Sequence, residues 1–331
     1  NYNIRNLTIQ NSAGPYIVHR DTFQRNVIGK LTLGPGLTEI QHSAFKVSND
    51  LLNYSNLTDN QIKDMKLTIA DQAQPYSIGQ NAFYYRQFPR NDDGSSGLSI
   101  GKGLVSIGER AFFNQSYPSD PDKYIVDINL ESHEDSQGIV FTSYAPFGNI
   151  PINSLSIIGV KSFNYNTVWH SHNEIPTIND MFIDYRSTQV NTSEKVIVQN
   201  YNIRNLTIQN SAGPYIVHQY SFQINAIGKL TLGPGLTEIQ PSAFAIFDSS
   251  ALYNYSNLTD NQIKDMKVTI ADQAQPYSIG QWAFYYRNIS DIVLPKTLTT
   301  ITQSNAFTLS LIHISEPTRQ AEISYAVFCL K

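Results

Sequence analysis

The ten-residue stretch LTLGPGLTEI occurs twice in this chain, at positions 31–40 and 230–239. Both copies lie within a longer duplication, in which residues 1–113 align with residues 200–307 and both segments begin NYNIRNLTIQNSAGPYIVH. Self-similarity on this scale is typical of repeat proteins, whose units stack on their neighbours instead of forming separate cores. The duplication therefore favours an array of similar units over independent globular domains.

A shorter unit recurs inside each copy. It consists of a strand with apolar residues at alternate positions, a Gly or Pro turn, a second apolar pair ending in Ile, and Ala-Phe four or five residues later. The units lie at 31–45, 67–83, 98–112, 230–244, 268–284 and 292–307. Because the lengths between them vary, the sequence predicts loops of different length at one edge of the array.

The unit predicts a coil with one buried face. Strand residues at i and i+2 share a face, so Leu31 and Leu33 point one way while Thr32 points the other. The GPG sequence at 34–36 supplies the bend, since proline fixes φ and glycine adopts conformations closed to other residues. One unit cannot bury its apolar residues alone, whereas neighbours stacked about 4.8 Å apart can enclose them in a continuous column.

Three irregular segments complete the sequence. The segment 55–66, repeated at 256–267, predicts a short helical turn in which Thr58 caps the helix and Gln61 completes a capping box. The polar, glycine-bearing segment 88–97 is absent from the second copy, and we expect an exposed, mobile loop. Residues 114–199 are less regular, and we interpret them as degenerate coils. Their strand elements are expected at 124–130, 153–158 and 194–199, with a Phe landmark in 144–148.

The repeated unit resembles the BspA-like leucine-rich repeat, on the strength of LTLGPGLTEIQHSAF, LSIGKGLVSIGERAF and the Ile-Gly-x-x-Ala-Phe element at 78–83, 107–112 and 279–284. The resemblance implies a right-handed β-solenoid with a parallel sheet along one side. It also implies a surface or secreted protein that binds host proteins, matrix or other cells. The chain departs from the family pattern in two ways: the cysteine often found shortly after Ala-Phe is missing, and several units carry long insertions.

The last segment, 309–331, resembles translated sequencing adapter, and we expect it to be non-native. Excluding it removes the single cysteine of the chain, Cys329, together with His313, Glu316, Arg319 and Glu322. The remaining sequence then offers no thiol nucleophile, disulfide or cysteine zinc site.

We therefore predict one mainly β, leucine-rich-repeat-like solenoid over 1–308, with short helical or irregular insertions. Because the chain begins with Asn1, we expect a fragment or a mature segment.

The composition of the chain limits the classes of partner that we expect. Charged residues form 15% of the chain and the formal net charge is −4, so we expect no binding to nucleic acid or to an anionic membrane. The twenty Tyr and sixteen Phe residues, with frequent aliphatics, favour strands and a long apolar core. No apolar run in the sequence is long enough for a membrane-spanning helix.

The duplicated sequence Tyr-Tyr-Arg is the candidate binding site, because it follows Ala-Phe where a coil returns to the surface. Tyr and Arg are favoured interface anchors. A packing role, in which the tyrosines cover the edge of the apolar column and stack on neighbouring coils, is the competing interpretation. The residues are Tyr84, Tyr85, Arg86, Tyr285, Tyr286 and Arg287.

Metal and catalytic sites find little support in the sequence. On a strand, His170, His172 and Glu174 would share one face, but they occur once and without a further ligand nearby, so an exposed polar strand is favoured. The segment 92–94, Asp-Asp-Gly, lacks the spaced oxygens and closing Glu of a helix-loop-helix calcium site, and predicts a hydrated turn. A polysaccharide-cleaving site would need clustered carboxylates. The candidates lie in duplicated sequences, which favours structural roles because an active site rarely needs two copies; they are Asp71, Asp272, Glu39 and Glu238.

These observations favour a non-enzymatic, adhesin-like module that binds protein or glycan at a cell surface or in the extracellular space. We expect it to be a monomer without cofactor, metal or catalytic residues. A passive spacer within a larger surface protein is the alternative, and a β-solenoid polysaccharide lyase or hydrolase is a third.

Overall fold

The computed structural model describes residues 3–11, 14–47, 57–114, 120–133, 138–141, 146–148, 150–159, 202–210, 213–219, 222, 226–245, 266–285, 287, 289–302, 305–307 and 312–314. The chain divides into two compact units, Asn1–Tyr201 and Asn202–Lys331. Each consists of short strands that pair in parallel with the equivalent strands of neighbouring coils.

The first unit contains two parallel sheets. Each regular coil contributes one strand to the first sheet and one strand to the second. The first sheet runs in the order β1 (Asn3–Ile9), β3 (Val27–Leu33), β5 (Lys66–Ile69), β7 (Leu98–Ser99). The second consists of β2 (Tyr16–Val18), β4 (Leu37–Ile40), β6 (Tyr76–Ile78), β8 (Leu104–Ile107) and β10 (Val140–Phe141). Farther along the chain, β9 (Val126–Glu131) pairs in parallel with β11 (Ile152–Ile158).

The second unit repeats this arrangement. Its first set of paired strands is β12 (Asn202–Gln209), β14 (Ala226–Leu232), β16 (Met266–Ile270), β18 (Ile289–Val293) and β20 (Ile312–Ile314). Its second set is β13 (Tyr215–Val217), β15 (Leu236–Ile239), β17 (Tyr277–Ile279) and β19 (Leu298–Ile301). The fold is therefore mainly β with stacked parallel strands, as the sequence predicts.

A turn at 34–36 separates the two strands of a coil. Leu31 and Leu33 on β3 are fully buried, as are the residues after the turn, Leu37 and Ile40. Gly36 has a φ of +91°, and a Cβ there would lie 2.6 Å from the carbonyl oxygen of Asn11, so glycine is required on both counts. The second apolar pair thus forms a second parallel sheet, in addition to the one that the sequence predicts.

The predicted capping box is confirmed at the start of α1 (Asp59–Lys63). The Thr58 amide donates to Oε1 of Gln61 at 2.9 Å, and the Gln61 amide donates to Oγ1 of Thr58 at 3.3 Å. This reciprocal pair satisfies two amides that a helix start leaves without partners. In the second copy of this segment, at 256–267, residues 256–265 lie outside the described part of the chain. The other described helix is α2 (Pro121–Tyr124).

The irregular middle region keeps parts of the repeat. The elements expected near 124–130 and 153–158 form β9 and β11, and the Phe landmark is Phe147, whose ring stacks on Phe112 with centroids 5.2 Å apart. The strand expected at 194–199 lies outside the described residues. Of the tail at 309–331, the structure describes 312–314 alone, so its non-native origin stays a prediction.

Candidate binding site

The Ala-Phe turn positions the candidate site. In the coil that contains Phe45, alternate backbone amides donate to carbonyl oxygens of the next coil. Ser43 donates to Gln80 at 3.0 Å and Phe45 donates to Ala82 at 2.8 Å. Because each turn is hydrogen-bonded to the next, equivalent side chains are stacked at the spacing of neighbouring strands.

This stacking produces an internal column of phenylalanine rings. Adjacent centroids are 5.0–5.4 Å apart with nearly parallel planes throughout both units. The rings in the first unit belong to Phe23, Phe45, Phe83, Phe112 and Phe147; those in the second belong to Phe222, Phe244, Phe284 and Phe307. Seven of these nine rings are fully buried, whereas Phe23 and Phe307 are half-buried.

The residues that follow Phe45, Phe83 and Phe112 form a second, outer column in the first unit. Tyr84 lies between its neighbours in this column, with Nζ of Lys46 4.9 Å from its ring centroid on one coil and the ring of Phe113 5.4 Å away on the next. Tyr84 also stacks on Tyr85 at 4.1 Å, and the two hydroxyls are 3.3 Å apart. The guanidinium of Arg110 lies 5.4 Å from the ring centroid of Phe113.

We name this group the tyrosine cluster; it consists of Lys46, Tyr84, Tyr85, Arg110 and Phe113. Phe113 is buried beneath it, while the other four side chains are half-buried. Cations over aromatic faces are attracted by the ring quadrupole. The cluster therefore offers both apolar area and positive charge to a partner.

Tyr85 also packs toward the interior. Its ring lies against a second apolar cluster formed by Val27, Val47 and Ile62. Its backbone has a φ of +66°, an uncommon conformation for an aromatic residue, and its amide donates to the carbonyl oxygen of Phe113 at 2.7 Å. Tyr85 thus has a packing role in addition to its half-exposed surface, whereas Tyr84 lies in the outer column.

The arginines of the two Tyr-Tyr-Arg sequences do not lie on the surface. Arg86 is fully buried and donates to the carbonyl oxygens of Phe45, Ile62 and Asn26 at 2.8, 3.1 and 2.6 Å. Arg287 is 1% exposed and donates to the carbonyls of Phe244 and Phe222.

The expectation that both guanidinium groups face a partner is therefore corrected. The Arg86 side chain instead supplies donors to backbone carbonyls of the Ala-Phe turn, at Phe45, and of α1, at Ile62. The tyrosines alone remain candidates for contact.

The second unit places Tyr285 in a similar position. Its ring is half-buried, and its centroid lies 6.4 Å from that of Trp282. Tyr286 lies outside the described residues. The aromatic neighbour differs between the units, because Trp282 occupies the position of Asn81 in the first copy.

The two candidate carboxylates of the first unit, Asp71 and Glu39, each have a hydrogen-bond partner. Oδ1 of Asp71 accepts the backbone amide of Lys102 at 2.8 Å, which ties a turn to the next coil. Glu39 accepts from the side-chain amide of Gln41 at 3.2 Å on the second sheet. Within the described residues, no three His, Cys, Asp or Glu side chains are grouped as metal ligands. The candidates His170, His172 and Glu174 lie outside the described part of the chain.

The loop at 88–97 is partly anchored. Asp93 accepts from the amide and hydroxyl of Ser95 at 2.9 and 2.6 Å, and these bonds hold the pKa of Asp93 below its usual value. The side chain of Phe88 is buried and meets the ring of Phe112 edge-on at 5.9 Å. Asp92 and Asp93 are exposed, as a hydrated turn requires, whereas the first residue of the loop belongs to the core.

Sequence reasoning missed Lys46, Arg110 and Phe113 as parts of the site. The signal was available, because each stands at a fixed offset from an Ala-Phe element and stacked coils align equivalent offsets.

In the part of the chain that the structure describes, no helix is long and apolar enough to cross a membrane.

Comparison with known families gives one match. A family model described as BspA type Leucine rich repeat region (6 copies) matches residues 141–264 and 255–330, which is more than half of the chain. The comparison with curated proteins found no match, and neither did the comparison with solved structures.

Proposed function

Because the chain belongs to the BspA-type leucine-rich repeat family, we propose that it is a non-enzymatic recognition module whose tyrosine cluster binds a protein partner. Repeat proteins of this kind offer extended surfaces made from equivalent positions on successive coils. We place the module at a cell surface or in the extracellular space, where it acts as an adhesin toward matrix or cell-surface proteins.

The observation that supports this proposal is the position of Tyr84. Its ring lies between Lys46 on one coil and Phe113 on the next, and it remains half-exposed. Tyrosine and arginine are enriched among residues that dominate binding energy, and they act best on a rigid, apolar base. Here the base is the buried Phe113 ring, and Arg110 lies beside it. The cluster therefore has the composition and the support that a protein-binding surface needs.

A glycan partner for the same surface, a passive spacer role and a polysaccharide-cleaving enzyme remain alternatives. The spacer role draws support from the cohesion that the stacked phenylalanine column provides. The enzyme finds no support in the described carboxylates, because Asp71 and Glu39 serve a turn and a neighbouring side chain. We therefore favour protein binding.

The test is binding of the full chain to a panel of immobilised matrix proteins (collagen, laminin and fibronectin), with a glycan array in parallel. We expect a panel protein to bind and Tyr84→Ser to weaken that binding by at least roughly tenfold, which corresponds to about 1.4 kcal/mol and lies between an ordinary contact and a hot spot. Ile17→Ser is the matched control, because Ile17 is exposed at 42% and lies on the second sheet, so it removes apolar surface elsewhere. No binding on either panel would favour the spacer. Equal losses for the two variants would show that the tyrosine cluster is not the binding surface.

A further inference from the structure

The outer face of the first sheet carries the same four-residue pattern in both units. In the first unit, Lys30 on β3 is in register with Lys66 on β5, and Thr32 is in register with Thr68. In the second unit, Lys229 on β14 is in register with Lys267 on β16, and Thr231 with Thr269. We name these two groups the lysine–threonine arrays.

The arrays face solvent because the residues between them face the core. Leu31 and Leu67 lie between Lys and Thr on the two strands of the first array, and both are buried. Residues at i and i+2 share a face, so each array consists of two cations and two hydroxyls. Neighbouring strands lie about 4.8 Å apart, and residues two apart along a strand are about 6.6 Å apart. Each array is therefore a compact and nearly flat group of donors.

None of the four lysines is in an ion pair with a residue that the structure describes. The four threonine hydroxyls likewise have no hydrogen-bond partner within the described residues. Like charges directly opposite one another on neighbouring strands repel and destabilise a sheet. An anion that bridges Lys30 and Lys66 would remove this repulsion, and the same holds for Lys229 and Lys267.

Positive charge distinguishes this face from the outward face of the second sheet. The outward positions of the second sheet, which are in register across coils, carry Ile17, Glu39, Ser77 and Ser106. On the first sheet the first array is bordered by Asn6, which is in register with Lys30, and by the exposed Arg5. Among the described residues, an acid lies near each array: the Lys66 charge contributes to the lowered pKa of Asp93, and Asp291 is in register with Lys267. Cations outnumber acids at both arrays.

From this geometry we propose that the two lysine–threonine arrays bind sulfate groups of a linear sulfated polysaccharide. A sulfate monoester presents several oxygens, so one group can accept from an ammonium and from a threonine hydroxyl two residues along the strand. Rows that continue across strands suit a polymer with repeated anionic groups. The described outward positions beside each array carry no aromatic ring on which a nucleobase could stack, so a nucleic acid is disfavoured.

The overall charge sets the expected behaviour of this binding. The chain has a formal net charge of −4, so long-range attraction of a polyanion is absent and the contacts act at short range. Binding should therefore weaken as salt is added, because exposed charges are screened within about a Debye length, roughly 8–10 Å at physiological ionic strength. The site is separate from the tyrosine cluster and does not depend on the proposed protein partner.

The experiment measures binding of the full chain to heparin, to desulfated heparin that retains its carboxylates, and to single-stranded DNA, by calorimetry at low salt. The test variant replaces all four lysines by glutamine: Lys30→Gln, Lys66→Gln, Lys229→Gln and Lys267→Gln. We expect heparin to bind the natural chain, and the variant to bind at least tenfold more weakly. Desulfated heparin and DNA should each bind at least tenfold more weakly than heparin.

A charge-matched control separates the arrays from net charge. It replaces four cationic residues outside the arrays and the tyrosine cluster by glutamine: Arg20, Lys102, Lys123 and Lys296. This variant has the same net charge as the test variant and should bind heparin within about twofold of the natural chain. Circular dichroism and thermal unfolding verify that both variants keep the fold. Absence of heparin binding, equal losses in both variants, or equal affinity for desulfated heparin or DNA would each overturn the proposal.

Discussion

The rings of Phe45 and Phe83 lie face to face, with their centroids 5.2 Å apart and their planes 4° from parallel. The backbone fixes this relationship, because the Phe45 amide donates to the carbonyl oxygen of Ala82 on the next coil. Each ring is therefore covered by the ring of a neighbouring coil. The outer column of Lys46, Tyr84 and Phe113 follows from the same geometry, so the candidate site depends on the stacking of the core.

Arg86→Met should destabilise the protein strongly. The guanidinium donates to three backbone carbonyls in a buried region, and methionine would leave these acceptors without that donor. Hydrogen bonds to a charged group contribute about 1.5–3 kcal/mol each, so we expect the free energy of unfolding to fall by at least about 3 kcal/mol. Urea titration measures the loss. Arg20→Met is the control, because the Arg20 side chain is 69% exposed and should change stability by less than about 0.5 kcal/mol.

Gly108→Ala should disturb the contact between coils. A Cβ at this position would lie 2.4 Å from the backbone nitrogen of Gln80 on the preceding coil, where a side chain cannot move aside. Overpacking of this kind costs about 1–3 kcal/mol. Gly14→Ala should be close to neutral, because no atom lies within 4 Å of the added carbon. Thermal unfolding compares the two, and similar melting temperatures would show that the coils are not in close contact at Gly108.

Stability should decline at alkaline pH, in part through Tyr16. Burial raises the pKa of Tyr16 from 10.0 to about 12, and its hydroxyl donates to the carbonyl oxygens of Ile9 and Gly34. The folded state thus holds the phenolic proton more tightly than the unfolded state does. The contribution is present in full below about pH 10 and is lost as the pH rises toward about 12.

Urea titrations across this pH range test the prediction. The free energy of unfolding of Tyr16→Phe should depend less on pH than that of the natural chain between about pH 10 and 12. Identical slopes for the two proteins would contradict the assignment of Tyr16 as a contributor. Burial also raises the pKa values of Tyr76, Tyr215 and Tyr277, so part of the alkaline decline should remain in the variant.

The alternation of Leu31 and Leu33 and the recurrence of Ala-Phe were enough to predict stacked parallel strands and their inward face. The second sheet was harder to predict, because its buried residues Leu37 and Ile40 are three apart and do not show the period of two that identifies a strand. Burial of Arg86 could not be predicted from local sequence, since two of its acceptors, Ile62 and Asn26, are 24 and 60 residues away in sequence.

The measurement that tests the stacked architecture most directly is urea unfolding of Phe45→Ala beside Asp92→Ala. Phe45 is fully buried between two rings, and its truncation should lower the free energy of unfolding by about 3–5 kcal/mol through loss of contact and opening of a cavity. Asp92 is exposed on the loop, and its replacement should change stability by less than about 0.5 kcal/mol. Small and equal losses at both positions would contradict a core shared between neighbouring coils.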